Sequence, residues 1–140
     1  MARRGRTREG IGGTLILDAD GVNKIAAADP RAQAALAAAR RRDARVVVSA
    51  VTLAETLRGG QRDVPVHRVL DRVTQLSVSP AIGRNAGELL GSTALVGATV
   101  DAIVAATALD LPGPVLVLTS DPGDLRALTQ ARDDVAVERV

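Results

Sequence analysis

The chain has 140 residues, 46% of them hydrophobic, with a net charge of +2, which fits one domain with a real core. It has no Cys, Phe, Trp or Tyr and a single His, His67. That excludes a thiol nucleophile, a disulfide framework, thiolate zinc and iron–sulfur sites, an HExxH pair and base stacking on aromatic rings.

Residues 1–13 carry Arg3, Arg4, Arg6 and Arg8 against Glu9, a net of +3, and read as a flexible basic tail before a domain over residues 14–140. The rest holds 14 basic and 15 acidic residues. Of the 18 basic residues only Lys24 is not Arg, a bias compatible with a phosphate-bearing partner and equally with a GC-rich genome. No apolar run follows the basic start and none is long enough for a bilayer, so a cytoplasmic protein without a membrane anchor is expected.

Thr14–Leu17 is an apolar strand ending in a turn at Asp18-Ala-Asp-Gly. Pro30 to Arg42 is Ala-rich and opens on Pro, a helix signal. Arg45–Ser49 is a buried strand. Ala50, Leu53, Ala54 and Leu57 then recur at helical spacing up to Gly59-Gly60. Val66 to Gln75 reads as a helix with Val66, Val69, Leu70 and Val73 on one face, and Leu76–Val78 as a strand stopped by Pro80. Helices are expected over Ile82–Val96 and Thr99–Leu111, with a strand at Val115–Thr119. Asp121 is the candidate cap of a helix to about Ala131, and Val135–Val137 is a last strand.

The strands are continuous apolar runs, so both faces of their sheet are buried. The fold class is therefore α/β, a three-layer α/β/α arrangement around a parallel sheet.

Ligands of such sheets bind beyond the carboxyl ends of the strands. Asp18 follows the first strand, Asp121 follows Val115–Thr119, and Glu55 lies in the helix after Arg45–Ser49. These three are expected at one rim. Asp101, in the first turn of the helix from Thr99, joins them by inference from the carboxylate pattern, with Asp20 and Asp124 just outside. Carboxylates at ~4 Å repel by about 4 kcal/mol per pair at an effective dielectric of ~20. A cation removes that cost, and oxygen-only ligands select Mg²⁺ or Mn²⁺. Such clusters recur in phosphodiester hydrolysis. Each acid also has a purely structural reading: Asp18 as a turn residue, Asp121 as a cap, Glu55 in a capping box with Thr52, Asp101 as a dipole partner.

Four segments together resemble the PIN domain, in particular the VapC-type toxins of toxin–antitoxin pairs. They are LILDAD (Leu15–Asp20), SAVTLAETLRGG (Ser49–Gly60), TVDAIVAATAL (Thr99–Leu109) and VLTSDPGDLRAL (Val117–Leu128); AGELL (Ala86–Leu90) is similar as well. The resemblance implies a five-stranded parallel sheet and a Mg²⁺-dependent endoribonuclease. It implies that Asp18, Glu55, Asp101 and Asp121 form the catalytic, metal-holding quartet, with Thr119 and Asp124 in support. It also implies an RNA substrate, a homodimer and a cognate antitoxin that blocks the site. Asp20 stands where a small neutral residue is common, and Leu125 where Phe is common.

Two alternatives remain open on the residues. LILDADGV is also similar to the DxDG motif of HAD-type phosphatases, with Asp18 as nucleophile and Asp20 as acid/base. That chemistry wants a later Lys, and only Lys24 is present. The other alternative is a non-catalytic PIN-fold binding module. Outside the acids, Gly83, Gly87 and Gly91 suggest a close helix approach, within the chain or between copies. Arg40, Arg41, Arg42 and Arg45 cluster at a helix end, where cations suit the dipole. His67 is a helix-surface residue with no catalytic role.

Overall fold

A computed structural model describes residues 12–140, so most of the expected basic tail lies outside the described residues. The elements in order are β1 (Thr14–Leu17), α1 (Ala19–Ala26), α2 (Pro30–Arg41), β2 (Arg45–Ser49), α3 (Ala50–Thr56), a 3-10 turn (Gln61–Asp63), α4 (Val64–Leu70), β3 (Thr74–Leu76), α5 (Pro80–Thr93), α6 (Thr99–Asp110), β4 (Val115–Thr119), α7 (Gly123–Leu128) and β5 (Val135–Arg139). No helix among the described residues is long and apolar enough to cross a membrane.

All five strands are parallel, in the order β3-β2-β1-β4-β5. Leu15 and Leu17 point to one face of the sheet, where they pack with Val22, Ile25, Leu36, Val66 and Leu70 of α1, α2 and α4. Ile16 points to the other, against Ile82, Ala86, Ala102, Ala105 and Leu125 of α5, α6 and α7. With no aromatic ring to fill space, Ala residues let the helices come close and branched aliphatics fill the rest. A change such as Leu17→Ala at a fully buried position costs about 2–5 kcal/mol.

The strand order reverses at β1: β2 and β3 lie to one side, β4 and β5 to the other. In open α/β sheets ligands bind where connections depart in opposite directions, which here is beyond the carboxyl ends of β1 and β4. Helix α3 touches both α1 and α6, which belong to opposite faces, so it lies across that same edge.

Several boundaries differ from the sequence reading. The expected turn after β1 is instead helix α1, capped by Asp18, whose Oδ1 accepts from the Gly21 N–H at 2.9 Å. Helix α4 stops at Leu70, and Thr74–Leu76 pairs with Val47–Ser49, so Thr74 and Gln75 belong to a strand. The apolar spacing of Val69 and Val73 ran on past the helix, and strand pairing overrode it. Helix α7 begins at Gly123 and ends at Leu128, and Asp121 does not cap it. In α3 the buried residues are Thr52 and Thr56 rather than the expected Ala50–Leu57 stripe, because this helix sits on the sheet's edge and not on its face. A Cβ at Gly83, Gly87 or Gly91 would meet nothing within 4 Å, so no close approach within the described residues uses that stripe.

One side chain fixes the opposite end of α6. The Arg132 guanidinium donates to the Leu109 and Leu111 carbonyls at 3.0 and 2.8 Å and pairs with Asp134 at 2.9 Å. The Asp134 carbonyl accepts from Val115 N–H at 2.8 Å, so α6, β4 and β5 are joined there.

Candidate active site

Asp18 is the most deeply set acid of the rim, 9% exposed. Its N–H donates to the Leu118 carbonyl at 3.2 Å, which continues the β1–β4 ladder to the site. Burial pushes its carboxyl above the usual range. The Thr119 hydroxyl and the Gly21 N–H oppose this, while Asp20 and Asp101 add to it. Gly21 is required by contact: a Cβ there would stand 2.8 Å from the Leu118 carbonyl oxygen. The first turn of α1 therefore lies directly on the end of β4. That brings Asp20 to Ser120, whose hydroxyl donates to Asp20 Oδ2.

Glu55 extends from the exposed side of α3. Its carboxyl is raised by burial first, then by Asp18, Asp101 and Asp20, with Arg58 opposing. Asp101, half-buried in the first turn of α6, is raised by burial, then by Asp124, Asp121 and Asp20. Thr119 is buried, and its hydroxyl accepts from the Asp121 N–H at 3.2 Å, so one side chain steadies the turn carrying Asp121 and lies beside Asp18.

The structure thus brings Asp18, Glu55 and Asp101 into one another's fields, with Asp121 and Asp124 acting on Asp101. Asp20 acts on all three raised acids, a role the sequence left open. Among the described residues, no three of these carboxylates stand close enough as placed to ligate one ion together. By donor chemistry the set fits a hard divalent cation: all oxygen, mutually repelling, with no imidazole or thiolate. Glu55 and Asp121 are the exposed members of the quartet.

Two further residues frame the site: Asp63, which was not singled out in the sequence, and Thr52, which was read there only as a capping partner of Glu55, whereas Ser49 caps α3. Asp63 accepts from the Arg58 and Gly59 N–H groups at 2.9 and 2.6 Å and so fixes the chain where α3 ends. Those bonds hold its carboxyl below the usual range, Gly59 foremost. The Gly-Gly-x-x-Asp spacing is the only signal for it. Thr52, one turn before Glu55, is fully buried, and its hydroxyl finds no partner among the described residues.

A family model described as the PIN domain matches residues 15–128. No curated protein sequence matches the chain. Several solved structures share the fold, among them the following two. A crystal structure of VapBC2 from Rickettsia felis bound to a DNA fragment from their promoter matches with a TM-score of 0.65 at 15% identity, over 91% of this chain and 98% of that one. PAE2754 from Pyrobaculum aerophilum matches with a TM-score of 0.57 at 16% identity, over 91% of each chain.

Proposed function

The chain belongs to the PIN domain family, and from that premise we propose that it is a metal-dependent endoribonuclease acting as the toxin of a toxin–antitoxin pair. The observation that carries the reading is the convergence of Asp18, Glu55 and Asp101 at the strand-order reversal, each carboxyl raised by burial and by its acidic neighbours. Acids arranged this way are strained alone and relieved by a cation.

Asp18, Glu55, Asp101 and Asp121 would hold the ion, Mg²⁺ or Mn²⁺. Such an ion lowers the pKa of an attacking water and stabilises the leaving oxygen of a phosphodiester. Thr119 keeps Asp18 and the Asp121 turn in place, and Asp124 adds charge beside Asp101. The partner is an antitoxin that sets an Arg or Lys among the carboxylates, a charge-assisted contact that excludes the metal. The matched Rickettsia felis structure is of VapBC2 bound to a DNA fragment from their promoter, which supports a partner protein. The protein acts as a homodimer in the cytoplasm, and the open glycine face of α5 leaves room for a second copy.

The phosphatase alternative leaves Glu55 and Asp101 idle. Its only Lys, Lys24, lies in the last turn of α1, whose first turn is the one at the rim. Purified protein with Mg²⁺ or Mn²⁺ should cut RNA, and EDTA should stop it. Cleavage that persists in EDTA and in Asp101→Asn would refute the reading. Absence of cleavage with either metal, despite folded protein, would favour the non-catalytic module.

A further inference from the structure

At the edge of the sheet opposite the acids, the side formed by β2 and β3 is arginine-rich, and its arginines are unused, unlike Arg132 beside β5. Arg40 and Arg41 end α2, Arg42 follows, Arg45 opens β2, and Arg68 and Arg72 lie at the end of α4 and just beyond it. A carbonyl-capping role, which a helix end suggests, is not taken up. None of these guanidiniums makes a hydrogen bond or an ion pair among the described residues, where Arg132–Asp134 is the one ion pair. Arg40, Arg45 and Arg72 line one polar groove of about 520 Å³ together with Asp43 and Asp71. Neither acid pairs with them. Arg40 and Arg72 also line a second groove, which Arg68 joins, so the positive surface is continuous from one to the other.

The chain enters the fold at this same edge. The Arg45 N–H donates to the Gly13 carbonyl at 3.0 Å, and a Cβ at Gly12 would overlap the Arg42 carbonyl. The sequence before Gly12 carries Arg3, Arg4, Arg6 and Arg8. Guanidinium forks match phosphate oxygens, and free ones cost nothing to recruit from an existing pair. A five-residue strand spans about 16 Å, so this edge lies about that far from the rim.

We propose that Arg40, Arg45 and Arg72, with their neighbours at the amino-terminal edge of β2 and β3, dock the phosphate backbone of the RNA whose scissile bond lies at the acid rim. This rests on the ribonuclease reading for the identity of the polyanion. A polyanion is repelled by the acids themselves, and a cationic surface one strand-length away supplies the attraction the rim lacks.

The test compares wild type, Arg40→Gln/Arg45→Gln/Arg72→Gln and the control Arg84→Gln. Anisotropy of a labelled single-stranded RNA in EDTA, over a salt series, reads binding without cleavage. The triple variant should bind about tenfold more weakly at low salt. Its slope of log affinity against log salt should fall by about 2, from three phosphates at roughly 0.7 each. With Mg²⁺ or Mn²⁺, KM for long RNA should rise at unchanged kcat, and a dinucleotide should be cut as by wild type. RNA affinity unchanged in the triple variant overturns the proposal, as does an equal loss in Arg84→Gln. Polyglutamate competing as well as RNA at equal charge overturns it in favour of an acidic protein. Weakened binding in the triple variant, with no cleavage by any of the proteins, leaves the docking surface standing and removes the ribonuclease reading.

Discussion

The Ser120 hydroxyl donates to the Asp20 carboxylate, tying the first turn of α1 to the turn after β4. The bond holds an extra negative charge beside Asp18, Glu55 and Asp101. Asp20→Asn should therefore raise the melting temperature in EDTA and weaken Mg²⁺ binding measured by calorimetry. Ser120→Ala should free the Asp20 side chain and weaken Mg²⁺ binding less. An Asp20→Asn variant that melts lower in EDTA and binds Mg²⁺ like wild type would assign Asp20 a purely structural role.

Asp18 both caps α1 and belongs to the acid rim, so charge and cap must be separated by choice of substitution. Asn is as good a helix cap as Asp, whereas Ala loses the bond to Gly21 at about 1 kcal/mol. Asp18→Asn should leave the metal-free protein at least as stable as wild type, and Asp18→Ala should destabilise it; both should abolish cleavage. Asp101→Asn caps nothing and should stabilise in EDTA. Mg²⁺ at a hundred times its Kd should stabilise wild type by about 2.7 kcal/mol and these variants by much less. Melts must be followed by circular dichroism or calorimetry, since the chain has no Trp or Tyr.

Stability should depend on pH in two opposed stages. Asp18, Glu55 and Asp101 have raised carboxyls, so the protonated forms favour the folded state. Their contribution is complete at low pH and is lost as pH rises through the raised values. Asp63 and Asp134 are lowered, and theirs is lost as pH falls through the lowered values. Metal-free protein should thus gain stability on acidification from neutrality through the raised values, then lose it below the ordinary carboxylate range. In saturating Mg²⁺ the first stage should vanish, because the ion holds the acids ionised. A stability that falls steadily from neutral pH in EDTA would contradict the strained-rim account.

Gly21→Ala tests the close approach of α1 to β4. The new methyl would press on a backbone oxygen, which cannot rotate away. An overpacking cost of about 1–3 kcal/mol is expected. The shift should also separate Asp20 from Ser120, so Mg²⁺ affinity should fall along with stability. Gly83→Ala, where a methyl meets nothing within the chain, is the control and should be neutral or stabilising in the monomer.

The fold was legible where hydrophobic runs were pure. β1, β2 and β4 have the boundaries their apolar sequences suggest, because both faces are buried and nothing competes. Helix α1 was hidden because Asp20, Gly21 and Asn23 disfavour a helix; the Asp18 cap and the buried Val22 and Ile25 outweigh them. At the site, the positions of Asp18 and Asp121 followed from strand ends. Asp63 was not legible, since its partners are backbone N–H groups of a loop whose path no local pattern specifies.

Helix α6 is anchored at its carboxyl end by Arg132, which joins it to both β4 and β5, and Asp101 stands at its other end. A helix pinned in this way is a rigid strut. Asp101 cannot advance toward a ligand by sliding its backbone, and Asp18 is likewise locked by its ladder and cap bonds. Half of the proposed ion-holding set thus stands on pinned backbone, and the other half, Glu55 and Asp121, lies exposed at the surface. Under the proposed function, an ion would be met by rotation of Glu55 and Asp121 against the two acids whose backbones are pinned, and the reach of those two side chains would set the size of ion that fits.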